Sequence, residues 1–396
     1  MHSSAVDIGN SLEGVPHLML PWRGQVLGLL LSLCFSAVTS SAATNDLVRP
    51  DHHFQYTNHV IDDVPWSIHI VKLDRFHPGF EFATTLGKGD VFGMSTVSEQ
   101  VKTLGLEAKQ PLAAINGDFY DKSEKYPGRP RDVQVRMGEV VSSPAGHTVF
   151  WVDPDGDPHM TNVFSRFRVI WRDGKTTPLG LNQERQEETA VLYTSAVGVS
   201  TGTSGGTDLF LERSTNSVWL PLRIGQTYGC RVREVRSSGG APLNNDIMVL
   251  SVGSKLLQRL PLLQAGSILQ IVTETSPDLS GASIAIGGGP ALVHNSKAMQ
   301  WSGFLPMRHP RTAIGWSKDH YFLVEVDGRQ SNISVGMTFS ELADYLVKLG
   351  CEEAMNFDGG GSSTLWALGM VRNSPSEGDE RPSANALVVI RKKNPD

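Results

Sequence analysis

The sequence predicts an α+β fold of mixed, mostly antiparallel sheets with a few packed helices, in a single large domain. Three observations carry that reading. Short apolar runs separated by Gly/Pro/Asp turns, such as Asp153-Pro-Asp-Gly156 and Ser204-Gly-Gly206, dominate residues 131 to 285. Only two stretches, beginning near Gly93 and Gly336, carry clear helix starts and stops. The 396 residues are 40% apolar and 19% charged, a globular composition long enough for one large or two ordinary domains.

The elements follow in chain order. Residues 1–43 read as a leader: Arg23 precedes the apolar run Val26 to Val38, and Ser41-Ala-Ala43 is a small-residue cleavage site. The run is too short for a membrane span, and translation starting at Met19 would give a leader of more usual length. Leu31-Ser-Leu-Cys34 is a poor lipoprotein box because Leu33 is bulky. Export with cleavage near Ala43, to a secreted or periplasmic location, is preferred over lipid anchoring. The mature domain is then 44–396. Trp66 to Leu73 alternates as a strand. A helix capped by Ser95 or Thr96 runs to Leu104, and Pro111 to Asp121 is an apolar strand with the polar end Asn116-Gly-Asp118. Thr201 to Thr207 reads as an exposed loop. Tyr321 to Val326 is a strong strand ending in Asp327-Gly-Arg329. Thr338-Phe-Ser-Glu341 is a capping box opening a helix from Phe339 to Leu349, with Gly350 at its C′ position. Ala386 to Ile390 closes the chain as a strand. Cys230 and Cys351 remain after cleavage; a disulfide and two buried free thiols both stay open.

The most informative stretch is Ala354-Met-Asn-Phe-Asp-Gly-Gly-Gly-Ser-Ser-Thr364. A strand here places Asn356 and Asp358 on one face. Three glycines then allow close approach to the backbone, and Ser362, Ser363 and Thr364 add hydroxyls beside bare N–H groups, the makings of an anion nest. The pattern has an echo earlier in the chain. Gly93-Met-Ser and Gly336-Met-Thr each start a helix, and each helix precedes an apolar strand ending in Asn, at Asn116 and Asn356. Two helix–strand units would bring these two ends to one site.

The candidate site residues are therefore Asn116, Gly117 and Asp118; Arg311 and Thr312; Asp327 and Arg329; Asn356, Asp358, Gly359, Gly360, Gly361 and Ser362; and Arg381 with Asn385. Amides and carboxylates suit sugar hydroxyls, whereas arginines and bare N–H groups suit phosphate. The combination points to a ligand that is both sugar and phosphate. The net charge of −6 and the lack of a basic block argue against nucleic acid. No P-loop or nucleophile elbow is present, and the histidines do not fall at zinc-ligand spacings. No cofactor or metal is expected.

Seven motifs together resemble the phosphodiester glycosidase family: Ala114 to Tyr120, Gly287-Gly-Gly-Pro290, Pro310 to Gly315, Val326 to Arg329, Gly336-Met-Thr338, Asn356 to Ser362 and Arg381-Pro-Ser-Ala-Asn385. The resemblance spans about 66–390. It implies an α+β catalytic domain that hydrolyses a sugar-1-phosphate diester and, in bacterial relatives, envelope or exopolysaccharide chemistry. Asp118 stands where many members have glycine, and Phe357 where leucine is common. On this reading Arg311 and Arg381 hold the phosphate, Asp327 and Asp358 form the acid/base or nucleophile pair, and Asn116, Asn356 and Ser362 orient the ligand. Two rivals are a metal-dependent phosphodiesterase liganded by Asp118, Asp327 and Asp358, and a non-catalytic polysaccharide-binding protein.

Overall fold

Both helix starts form as their sequences dictate. Thr338 accepts the Glu341 N–H through Oγ1 at 3.1 Å, and the Glu341 carboxylate accepts the Thr338 N–H at 2.9 Å. The helix Phe339–Lys348 that follows buries Leu342, Ala343 and Leu346, and Gly350 ends it at φ +95°. Thr96 and Glu99 make the same reciprocal cap for the helix Val97–Thr103.

The structure is a computed structural model that describes residues 52–104, 109–122, 125–301 and 306–392. The expected leader, with Cys34, lies outside the described residues. Each helix covers one sheet. Phe339–Lys348 packs on a seven-stranded sheet whose order begins Phe54–Ile61, Trp66–Asp74, His320–Val326, Arg311–Trp316 and Glu353–Asn356. Val97–Thr103 packs on a five-stranded sheet with Lys109–Asn116 at its centre, flanked by Leu365–Ala367 and Ala386–Lys392. The inner faces of the two sheets meet: Val71, Leu73, Ile314, Leu323 and Met355 from the first bury against Ala113, Ile115, Leu365, Leu387 and Val389 from the second. Helix, sheet, sheet and helix thus form four layers, with apolar side chains alternating between the outer and inner cores.

Residues 134–287 supply an eleven-stranded sheet. It closes on itself where Ile268–Ser276 pairs antiparallel with Pro158–Ile170. Its interior holds a second large core, including Val169, Leu192, Leu211, Tyr228 and Ile271. That pairing covers the otherwise free edge of Ile268–Ser276.

The fold is richer in β-structure than the α+β expectation. Among the described residues only three stretches are α-helix, and one of them, Ser254–Leu257, is a single turn. The expected exposed loop at Thr201 to Thr207 holds in part: Gly202, Ser204 and Gly205 are exposed, whereas Thr201, Thr203 and Thr207 are buried. The Thr201 N–H donates to Ala241 O at 2.9 Å, and Gly239 lies against Ser204, so a neighbouring turn covers part of the stretch. Cys230 and Cys351 are both free and buried. Burial pushes each thiol up to about 12. Among the described residues no helix is long and apolar enough to cross a membrane.

Candidate active site

The two Asn-ended strands belong to different sheets, and their ends meet. The Asp358 N–H donates to Gly117 O at 2.9 Å. Asn116 Nδ2 donates to Asp358 O at 2.7 Å. Asn116 Oδ1 accepts the Thr312 hydroxyl at 2.7 Å and the Thr364 N–H at 3.0 Å. Asn116 is fully buried and ties three segments together, so its role is to pin the site. Asn356 does likewise, donating to Gly289 O at 3.0 Å and to Phe357 O. Gly117 is required by close packing, since a Cβ there would stand 2.4 Å from Asn385 Oδ1 and 2.5 Å from Ile286 Cδ1. Asn385 in turn accepts the Asp118 N–H at 2.8 Å and donates to Gln134 Oε1 at 2.9 Å.

Beyond this seam the glycine turn is rigid. The Gly359 N–H donates to Asp358 Oδ1 at 3.0 Å, and the Gly360 N–H donates to Pro310 O at 2.9 Å. Gly360 takes φ +65°, which favours glycine. A Cβ at Gly361 would meet Glu377 Oε1 at 2.1 Å and Arg381 Nη1 at 2.7 Å. Two guanidinium groups flank the turn. Arg381 donates to Ser362 Oγ at 2.9 Å and to Glu377 Oε1 at 3.1 Å. Arg329 Nη2 lies 2.9 Å from where a Gly360 Cβ would be, and 3.3 Å from His309 Nδ1. Burial holds the Asp358 carboxyl above its ordinary range; the Ser362 side chain, the Gly359 N–H, Arg381 and Lys122 pull the other way. The result is a carboxyl, a hydroxyl and two cations beside a glycine turn whose N–H groups at 359, 360, 362 and 363 are already bonded within the protein, so the guanidinium groups are what suit the site to an anionic ligand, and Asp358 to proton transfer or attack.

Two further candidates have partners of their own. Arg311 donates to Met337 O at 2.8 Å and Met307 O at 3.1 Å and lies 4.0 Å over the Phe339 ring. Desolvation lowers its pKa to about 10, with Arg329 adding to the effect. Arg311 and Arg381 share no hydrogen-bond partner among the described residues. Asp118 is buried, accepts the Asp132 N–H at 2.7 Å through Oδ2, and leaves Oδ1 without a partner. Burial pushes its carboxyl up to about 7.

Asp327 and Asp358 lie in different hydrogen-bond networks. Asp327 Oδ1 accepts the Ser374 N–H at 2.7 Å, and its Oδ2 stands 2.9 Å from His69 Nε2. Its carboxylate neighbour is Glu325, whose own pKa is raised by burial and then by the Asp327 charge. His69 and Glu325 escaped the sequence reading, as did Glu377, Asn373 and Lys122. The one available signal was Glu325-Val-Asp327, whose alternation puts both carboxylates on one face of the strand. Asp118, Asp327 and Asp358 stand in three separate networks, so the ligand set of the metal-dependent rival is not assembled.

Fold and site together define a β-rich domain that presents a glycine turn and flanking arginines at a seam between two sheets. Residues 226–390 match the family model described as phosphodiester glycosidase. The Ala114 to Tyr120 motif precedes the matched residues and reaches the site through Asn116 and Gly117. The SPβ prophage-derived uncharacterized protein YomE of Bacillus subtilis (strain 168) is 34% identical over 115 residues, covering 28% of this chain and 18% of YomE. A hypothetical protein from Synechocystis superposes with a TM-score of 0.66 at 17% identity, over 86% of this chain and 62% of that one. A protein of Burkholderia pseudomallei K96243 superposes with a TM-score of 0.62 at 22% identity, over 82% of this chain and 74% of that one. These two likenesses show the fold. The chain spans under a fifth of YomE's length and under two thirds of the Synechocystis protein's.

Proposed function

We propose that the protein is an exported hydrolase of glycosyl-1-phosphate diesters, acting on a glycan or exopolysaccharide that carries a sugar such as N-acetylglucosamine. The family of residues 226–390 supports hydrolysis of phosphodiester-linked sugars. The observation that carries the reading is the grouping of Asp358, Ser362 and Arg381 on the glycine turn, with Arg329 over Gly360. Arg381 and Arg329 receive the phosphate through their guanidinium forks. As the glycosidic C–O bond breaks, the phosphomonoester departs with the bonding electrons, and both guanidiniums stabilise its added negative charge. Asp358 acts at the anomeric carbon, as nucleophile or as the base that activates water. Asn116, Thr312, Asn356 and Asn385 are positioning residues.

The test is direct. The full chain is incubated with a sugar-1-phosphate diester in ¹⁸O-water, and products are read by mass spectrometry. Free sugar carrying the label supports C–O cleavage at this site. Label in the phosphomonoester replaces the proposed bond cleavage with attack at phosphorus. No turnover of any sugar-1-phosphate diester overturns the reading and favours a non-catalytic polysaccharide binder. Export is tested by sequencing the amino terminus of protein recovered from periplasm or medium; a start near Ala43 is expected, and retention of residues 1–43 in the cytoplasm would refute it.

A further inference from the structure

We infer that His69, Glu325 and Asp327 form a binding site for a first-row divalent cation of the zinc or manganese class. A ligating atom from each lies within 4.8 Å of the others, and all three side chains are buried. The sheet register fixes the arrangement. Glu325 is the direct cross-strand partner of His69, and the Asp327 N–H donates to Ser67 O at 3.0 Å. The imidazole therefore sits between two carboxylates that alternate onto its face.

A second observation points to a missing ligand. Glu325 is wholly buried, and neither carboxylate oxygen has a hydrogen-bond partner. Asn373 stands near enough to favour its charged form slightly, without reaching bonding geometry. Among the described residues no Lys or Arg pairs with Glu325 or Asp327. Buried charges are usually paired or coordinate metals. A divalent cation would neutralise both carboxylates and engage the orphaned oxygens.

The geometry fits an ion. Neighbouring ligands of an octahedral ion bound at about 2.1 Å stand about 3 Å apart, and those of tetrahedral zinc about 3.4 Å. His69 Nε2 and Asp327 Oδ2 are 2.9 Å apart. The other ring nitrogen, Nδ1, lies 2.8 Å from the Tyr56 hydroxyl, so an Nδ1–H can donate there and leave Nε2 free to ligate. Metal-bound histidines are commonly oriented in this way. One imidazole and two carboxylates form a mixed N/O donor set, which suits zinc or manganese better than a thiolate-seeking ion.

The inference stands apart from the proposed hydrolysis and is tested without substrate. The full chain is stripped with chelator, then titrated with Zn²⁺ and with Mn²⁺ by calorimetry, with Mn²⁺ also followed by electron paramagnetic resonance. One bound ion per chain and a raised melting temperature are expected. Glu325→Gln should abolish tight binding, and Tyr56→Phe should weaken it by about tenfold. Absence of stoichiometric binding of either ion to the wild type overturns the inference. So does undiminished binding in folded Glu325→Gln. If that variant does not fold, undiminished binding in Tyr56→Phe counts against the site, and a tenfold loss supports it.

Discussion

Two groups of charged side chains lie at opposite ends of the Thr312–Asn116 hydrogen bond, and they are built differently. At the glycine turn, Asp358 has the Gly359 N–H and Ser362 as partners, and Arg381 has Ser362 and Glu377. Glu325, the cross-strand partner of Thr312, has none. Arg381 and Glu377 also retain substantial exposure, whereas Glu325 has none. Partners at the water boundary can be exchanged for a ligand at modest cost, because solvent and ligand compete for the same groups. A buried unpaired carboxylate has no such alternative, so it calls for a fixed counter-charge. The first arrangement suits turnover, and the second suits permanent occupation.

The largest expected effect separates two arginines. Arg381→Ala should lower kcat/KM for a sugar-1-phosphate diester by roughly a hundredfold or more, about 3 kcal/mol, with the melting temperature little changed. Arg311→Ala should do the reverse. It removes donors to two backbone carbonyls and should cost about 2 kcal/mol of stability in urea while folded molecules keep their turnover. A stable, inactive Arg311→Ala protein would move that guanidinium to the ligand.

Glycines sharpen the contrast between strain and site. Gly360→Ala should strain the backbone by about 1–2 kcal/mol and press on Arg329, so urea midpoint and KM both worsen. Gly350, at φ +95° with open space around its Cβ position, is the control. Gly350→Ala should cost about 1 kcal/mol and leave turnover unchanged. Equal kinetic effects from the two would show that the turn matters only through stability.

Asp118 tests interior charge by pH. Its folded value of about 7 lies above the ordinary 3.8. The folded chain thus binds more protons than the unfolded chain between about pH 4 and 7, and this group's contribution to stability falls as pH rises through that window. Asp118→Asn should flatten that fall, gaining on the order of 2 kcal/mol at pH 8 relative to pH 4. An unchanged pH–stability curve would remove Asp118 as its cause. The smallest effect concerns Cys230 and Cys351. Both should resist a thiol reagent in the native protein and react only on unfolding; rapid labelling of either would contradict its burial.

Local signals made part of this legible. The capping box at Thr338, a cap at Ser95 or Thr96 and the glycine stop at 350 could be read directly, because those bonds join residues within one turn; that Thr96 is the cap and forms a box with Glu99 came from the structure. The meeting of Asn116 with Asp358 was legible through the repeated helix–strand pattern. The buried cluster was not. His69 and Asp327 are 258 positions apart, and strand pairing, not sequence spacing, brings them together. A search for zinc-type histidine spacing could not register it. The partners of Arg311 were equally out of reach of local reading: they are the carbonyls of Met307 and Met337, set by the loop before it and the turn after Gly336. Closure of the eleven-stranded sheet depends on one long-range pairing that no single strand announces.

The seam at Asn116 also bears on how the protein is made. Its side-chain partners at Thr312 and Asp358 lie 196 and 242 residues further along the chain. At about 5–20 residues per second, Thr312 is synthesised roughly 10–40 s after Asn116. During that interval the central strand of the five-stranded sheet has neither of its main neighbours, since Leu365–Ala367 and Ala386–Lys392 are later still. The nascent chain must therefore carry an unpaired apolar strand, Lys109–Asn116, until Leu365–Ala367 and Ala386–Lys392 have been made, and its dependence on chaperones should be concentrated in that interval.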